Sequence, residues 1–144
     1  MTWNLTSYFN GDSACAVNPD TLSPLDLAFV GDAVFGLLVR EELALQGKRP
    51  VKDLHSLSVK RVKAQAQAKA ARAVAPVLTE EETEIYKRGR NAHVGSVPKN
   101  ASVGEYHAAT GLEALFGWLH LKGRADRVRE LYAFISKEAS EDET

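Results

Sequence analysis

Leu25-Asp26-Leu27-Ala28-Phe29-Val30-Gly31-Asp32-Ala33-Val34-Phe35-Gly36-Leu37-Leu38-Val39 is apolar on nearly every side and carries one acid, Asp32, at its centre. Apolar residues all round mark a helix buried in the middle of a bundle. Ser23-Pro24 offers an N-cap followed by proline at the first helical position, Asp26 completes the cap, and Gly47 is a stop, which predicts one helix of about 20 residues. An ionised Asp32 taken out of water costs several kcal/mol unless a cation, hydrogen bonds or a metal compensates it. Gly31 and Gly36 each give up about 1 kcal/mol of helix propensity relative to alanine, which makes sense where another helix must approach closely.

A second stretch repeats the pattern. Thr110-Gly111-Leu112-Glu113-Ala114-Leu115-Phe116-Gly117-Trp118-Leu119 is again apolar with one acid, Glu113, flanked by glycines, and helical spacing puts Tyr106, Thr110, Gly117 and His120 on its face. Packed together, two such helices bring Asp32 and Glu113 to one spot, where two carboxylates repel unless a divalent cation or a proton lies between them. Mg²⁺ suits such a place, because it takes one or two protein carboxylates, keeps several waters and is completed by phosphate oxygens. On spacing alone the alternative stands beside it: each acid satisfied separately by a neighbouring Arg or Lys, or by backbone donors.

The rest of the chain bounds the class. Its 144 residues suit one domain, and 44% hydrophobic with 26% charged residues is an ordinary globular composition. The single cysteine, Cys15, cannot form an internal disulfide, no apolar run spans a bilayer, and Met1-Thr2-Trp3-Asn4 is unlike a secretory signal, so a cytoplasmic protein with no membrane partner is expected. Residues 1–22 read as an irregular lead-in. A second helix rich in Ala, Gln and Lys begins near Asp53 and stops before Pro76; a third is capped by Thr79 with Glu80, Glu81 and Glu82 and ends at Arg88-Gly89. A fourth runs from about Val103 to Gly123 and a fifth from about Arg124 to Lys137, leaving 138–144 as an acidic tail that frays. Between the third and fourth, Gly89 to Ser102 is a long loop of the kind that is often functional. No alternating pattern competes, and the expected fold is an all-α domain over 23–137.

Net charge is −1, yet Lys60 to Lys99 holds 9 Lys/Arg against 4 Asp/Glu, a local excess of +5 between two flanks of −3. Clustered cations are the footprint of phosphate-facing surfaces, although Lys and Arg are also ordinary helix-surface residues. A carboxylate-held cation beside a basic surface is what phosphodiester hydrolysis requires, since the metal activates water and stabilises charge on the phosphate oxygens.

With these residues in view, Phe29-Val30-Gly31-Asp32-Ala33-Val34 resembles the signature helix of the ribonuclease III family, and Glu113-Ala114-Leu115-Phe116-Gly117 resembles its second acidic helix. Lys87-Arg88-Gly89-Arg90-Asn91-Ala92, Val97-Pro98-Lys99-Asn100 and the helix from Tyr106 to Leu121 are similar to the Mini-ribonuclease III branch, which comprises the catalytic domain alone. The resemblance spans about Leu22 to Leu131. It implies a ribonuclease III-like helical bundle acting as a homodimer that cleaves both strands of double-stranded RNA with Mg²⁺, and trims the precursor of 23S ribosomal RNA. Asp32 and Glu113 match the catalytic and metal-binding acids, and no nucleotide cofactor is implied. Larger family members carry further acids where this chain has Leu25, Ala28 and Thr110, so a leaner metal site is implied here. A 144-residue chain with no separate RNA-binding domain must hold RNA through its own surface, and the candidates are Lys60, Arg61, Lys63, Lys87, Arg88, Arg90, Asn91, Lys99 and Asn100. The apolar residues Val30, Val34 and Leu38 are candidates for part of the dimer contact, or for the core.

His55, His93, His107 and His120 share no ligand spacing, so zinc is not expected. His120 lies two turns from Glu113 and reads as a partly buried histidine or as an orienting partner for that acid. Two other readings compete: an RNA-binding or ribosome-assembly module of the same fold without cleavage, and a helical adaptor whose acids are structural.

Overall fold

A helix with alanine and glycine at its contact positions lets its neighbours approach until backbones touch, and the helix carrying Glu113 is built this way. The structure, a computed structural model, describes residues 17–92 and 102–143 together with Leu5. Among these residues the order is α1 (Pro24–Leu45), α2 (Val51–Val62), α3 (Ala64–Val74), α4 (Glu80–Arg90), α5 (Val103–Leu121) and α6 (Ala125–Glu143), with 3-10 turns at Pro19–Thr21 and Ala75–Val77 and no strand. The all-α expectation is met. Helix α5 is the hub, with Leu112, Ala114, Leu115, Phe116 and Leu119 wholly buried, and α1, α3, α4 and α6 pack around it. Phe35 of α1 sets its ring edge-on against Phe116 and Tyr132, which ties α1, α5 and α6 into one core.

The caps are those the sequence announces. Ser23 accepts from the Asp26 backbone N–H with Pro24 leading α1, and capping boxes at Thr79/Glu82 and Ser102/Glu105 start α4 and α5. Gly123, at φ 77°, turns the chain from α5 into α6 in the left-handed region that glycine adopts freely. At the end of the lead-in, Asn18 caps the first 3-10 turn, and Asp20 accepts hydrogen bonds from Trp118 Nε1 at 2.8 Å and Lys122 Nζ at 3.1 Å.

Four expectations need correcting. The second predicted helix is two, α2 and α3, because Lys63 adopts extended backbone (φ −66°, ψ 156°); the Val62 carbonyl freed there accepts from the Gln67 side chain at 2.8 Å. Helix α4 continues through Gly89 to Arg90, since Gly89 is buried against α5 rather than acting as a stop. Helix α6 runs on to Glu143, beyond the predicted end at Lys137, so most of the acidic tail is helical. Finally, α1 is not buried all round. Val34 and Leu38 are 4% and 8% exposed and belong to the core, whereas Leu25, Phe29 and Leu37 face outward at 42%, 82% and 40%. Asp32 lies on that outer side and is exposed.

Candidate active site

The two acids meet because two glycines remove the atoms that would keep their helices apart. A Cβ on Gly31 would overlap the carbonyl oxygen of Glu113, and a Cβ on Gly117 would overlap that of Leu27. Helices α1 and α5 therefore cross in backbone contact, with the residue before Asp32 lying on Glu113 itself. Gly36 has no such role, as a Cβ there meets only the Arg40 side chain. The crossing leaves the Asp32 and Glu113 carboxyl groups sharing a hydrogen bond at the edge of the bundle.

Their electrostatics follow from that placement. Glu113 is half-buried, and burial pushes its carboxyl up to about 8, with the hydrogen bond and charge of Asp32 acting in the same direction. The amide of Gln67 opposes the shift. Gln67 was not among the residues singled out from sequence; it is 3% exposed, its Nε2 donates to the Val62 carbonyl, and its Oε1 has no hydrogen-bond partner. Among the described residues no cluster of three or more His, Cys, Asp or Glu able to hold a metal occurs, so any cation here would take two carboxylates and complete its shell with water or substrate oxygens. The three positions that lack acids add no ligand: Leu25 is exposed, Ala28 is buried, and the Thr110 hydroxyl donates to the Tyr106 carbonyl at 3.0 Å. His120 is partly buried, and burial pushes its pKa down.

The basic candidates fall into groups. Lys87, Arg88, Arg90 and Asn91 are exposed at the C-terminal end of α4, which Gly89 holds against Thr110, Gly111 and Ala114, within a turn of Glu113. Arg90 lies over the Tyr86 ring at 5.8 Å, and its carbonyl is 2.8 Å from His107 Nδ1, fixing this end of α4 to α5. Lys63 is exposed at the α2–α3 break. Lys60 and Arg61 line a different feature, a cavity of about 250 Å³ between α1, α2, α3 and α6, and Arg61 is paired with Glu42 at 2.8 Å with both side chains 14% exposed. Lys99, Asn100 and His93 lie outside the described residues, as do Cys15 and Trp3.

An all-helical domain whose hub helix and partner helix each offer one carboxylate has a known counterpart: a family model of the Ribonuclease III domain matches residues 25–124. That places the fold among endoribonucleases. A Mini-ribonuclease 3 of Symbiobacterium thermophilum is 46% identical over 79% of this chain and 88% of its own length, and one of Thermoanaerobacter sp. is 45% identical over 77% and 78%. A crystal structure of a Fusobacterium nucleatum protein superposes with a TM-score of 0.76 at 29% identity, covering 83% of this chain and 95% of that one. The chain belongs to the Mini-ribonuclease 3 family within the ribonuclease III enzymes, and it is an endoribonuclease. No helix among the described residues is long and apolar enough to cross a membrane.

Proposed function

We propose that this endoribonuclease cleaves double-stranded RNA as a Mg²⁺-dependent homodimer, that Asp32 and Glu113 are its catalytic acids, and that its cellular substrate is a stem in the 23S ribosomal RNA precursor. One observation carries the proposal: the Gly31–Gly117 crossing holds two carboxyl groups together, with no Lys or Arg among the described groups acting on Glu113. Such a pair is costly unless an external cation shares it. The donor set fits Mg²⁺, being two hard carboxylate oxygens that leave the rest of the shell to water and phosphate oxygens. When bound, Mg²⁺ supplies an activated water and stabilises charge on the scissile phosphate.

The chain's own residues do the rest. Asp32 and Glu113 would hold the cation, each through its carboxylate. Lys63, Lys87, Arg88, Arg90 and Asn91 hold backbone phosphates and 2′-hydroxyls, the groups through which A-form RNA is recognised, and Lys99 and Asn100 join them on the family resemblance alone. Lys60 and Arg61 contribute less, since Arg61 is committed to Glu42. The outward residues Leu25, Phe29 and Leu37, on the side of α1 that carries Asp32, support a two-fold contact that sets one site against each strand. The precursor stem rests on the family resemblance alone.

Labelled duplex RNA incubated with the protein in Mg²⁺ and in EDTA tests the reading, beside folded Asp32→Asn and Glu113→Gln variants. Mg²⁺-dependent cleavage lost in both variants is the expected result. Cleavage that persists in EDTA, or in either variant, contradicts it.

A further inference from the structure

Helix α3 buries Gln67, Ala68, Ala70, Ala71 and Val74, a face of small apolar residues interrupted by one amide. Burying a carboxamide costs free energy unless both its donor and its acceptor find partners, and leucine of similar volume would carry no such cost. Only half of the requirement is met inside the protein. Nε2 donates to the Val62 carbonyl at 2.8 Å, the group left open by the break at Lys63, while Oε1 is enclosed and has no partner. The same carboxamide lies within hydrogen-bonding reach of Glu113, on the face of α3 that packs against α5.

Two carboxylates leave most of the shell of a six-coordinate cation to water, and each such water needs an acceptor for its protons. The Gln67 carboxamide, placed beside Glu113, carries an acceptor that no described group of the protein uses. We infer that Gln67 is a positioning residue of the cation site, anchored by Val62, that holds the Glu113 carboxylate toward Asp32 and accepts at Oε1 a hydrogen bond from a water of the bound cation. The inference rests on the reading of Asp32 and Glu113 as the cation-binding pair. It assigns the break between α2 and α3 a purpose: the break exposes a carbonyl that fixes the orientation of the amide.

The test is Mn²⁺ binding to the RNA-free protein, followed by electron paramagnetic resonance, for wild type, Gln67→Leu and Gln67→Glu, with thermal unfolding and duplex cleavage measured in parallel. Loss of an outer hydrogen-bond partner typically weakens metal affinity about 10–100-fold. Gln67→Leu should bind Mn²⁺ at least about 10-fold more weakly and lower kcat with KM for RNA unchanged. Gln67→Glu keeps an acceptor but cannot donate to the Val62 carbonyl, so it should recover the affinity only in part. A Gln67→Leu protein that loses thermal stability yet binds Mn²⁺ like wild type would overturn the inference, because a role confined to packing or to Val62 predicts that result. If Gln67→Leu does not fold, Gln67→Asn, which keeps the amide one methylene short, takes its place, with weakened Mn²⁺ binding expected and unchanged binding overturning the inference. Asp32→Asn and Glu113→Gln separate the two layers. Mn²⁺ binding insensitive to both sinks the carboxylate pair itself, whereas binding sensitive to both but not to Gln67 sinks the role of Gln67 alone.

Discussion

Glu82 and Glu113 are both glutamates drawn into a helical domain, and the protein treats them in opposite ways. Burial pushes the Glu82 carboxyl up, but two hydrogen bonds from Arg127 at 2.8 Å, the Thr79 backbone and the Arg127 charge outweigh it, and Glu82 ends below the ordinary glutamate range. Arg127 also donates to the Val77 carbonyl and pairs with Glu130, so the ion pair fastens α6 to the start of α4. Glu113 has Asp32 for a neighbour and no arginine or lysine among the described groups acting on it, and it ends at about 8. One acid is compensated from within and stabilises the fold. The other is held in an uncompensated state by two glycines, and such a site awaits a charge from outside.

The largest effect should come from breaking the uncompensated side. Glu113→Gln and Asp32→Asn are each expected to lower kcat for duplex cleavage by about 10³-fold or more with the circular dichroism spectrum intact. Glu82→Gln should leave kcat within about 3-fold, so equal losses in the two glutamate variants would erase the distinction. Next, Gly117→Ala must push α1 away from α5, because its Cβ meets the Leu27 carbonyl. Overpacking of this kind costs about 1–3 kcal/mol, and separation of the acids should remove about 10²-fold in activity, both read from urea melts and single-turnover cleavage. Gly36→Ala, whose Cβ meets only a flexible arginine, should be near neutral.

Smaller again is the structural pair. Arg127→Met should cost about 2–3 kcal/mol in urea melts, less than for a fully enclosed pair because Arg127 keeps 21% of its side chain exposed. Activity per folded molecule should not change. The smallest effect is the pH response of the metal-free protein. Glu113, raised in the folded state from 4.5 to about 8, contributes stability that is complete below pH 4.5 and is lost as pH rises through 8. Glu82, lowered, contributes stability present above its unfolded value and lost as pH falls through its folded one. In EDTA, Glu113→Gln should therefore gain on wild type between pH 5 and 9, by about 1–2 kcal/mol after allowance for solvent contact. Glu82→Gln should instead approach wild type as the solution is acidified.

Much of this division was legible in the sequence, and the reasons for the remainder are physical. Asp32 and Glu113 stand out because each interrupts an apolar helix, and Gly31 beside Asp32 announced the close crossing. Exposure of Asp32 did not show, since Leu25, Phe29 and Leu37 are apolar on the outward side and look like core residues in a one-dimensional pattern. Gln67 was hidden among Gln65 and a run of alanines; its signal was that it shares a helical face with Ala70, Ala71 and Val74. The break at Lys63 leaves no proline or glycine as a marker. The Glu82–Arg127 pair joins residues 45 apart, a distance that no local spacing rule spans.

The central claim is that the glycine crossing exists to let Asp32 and Glu113 share a divalent cation. Anomalous diffraction from crystals of the protein soaked in Mn²⁺ tests it most directly. The account predicts one strong peak within about 2.0–2.3 Å of an oxygen of each carboxylate, absent in Glu113→Gln. Carboxyl groups still bonded to each other in saturating Mn²⁺, with density elsewhere or nowhere, would contradict it.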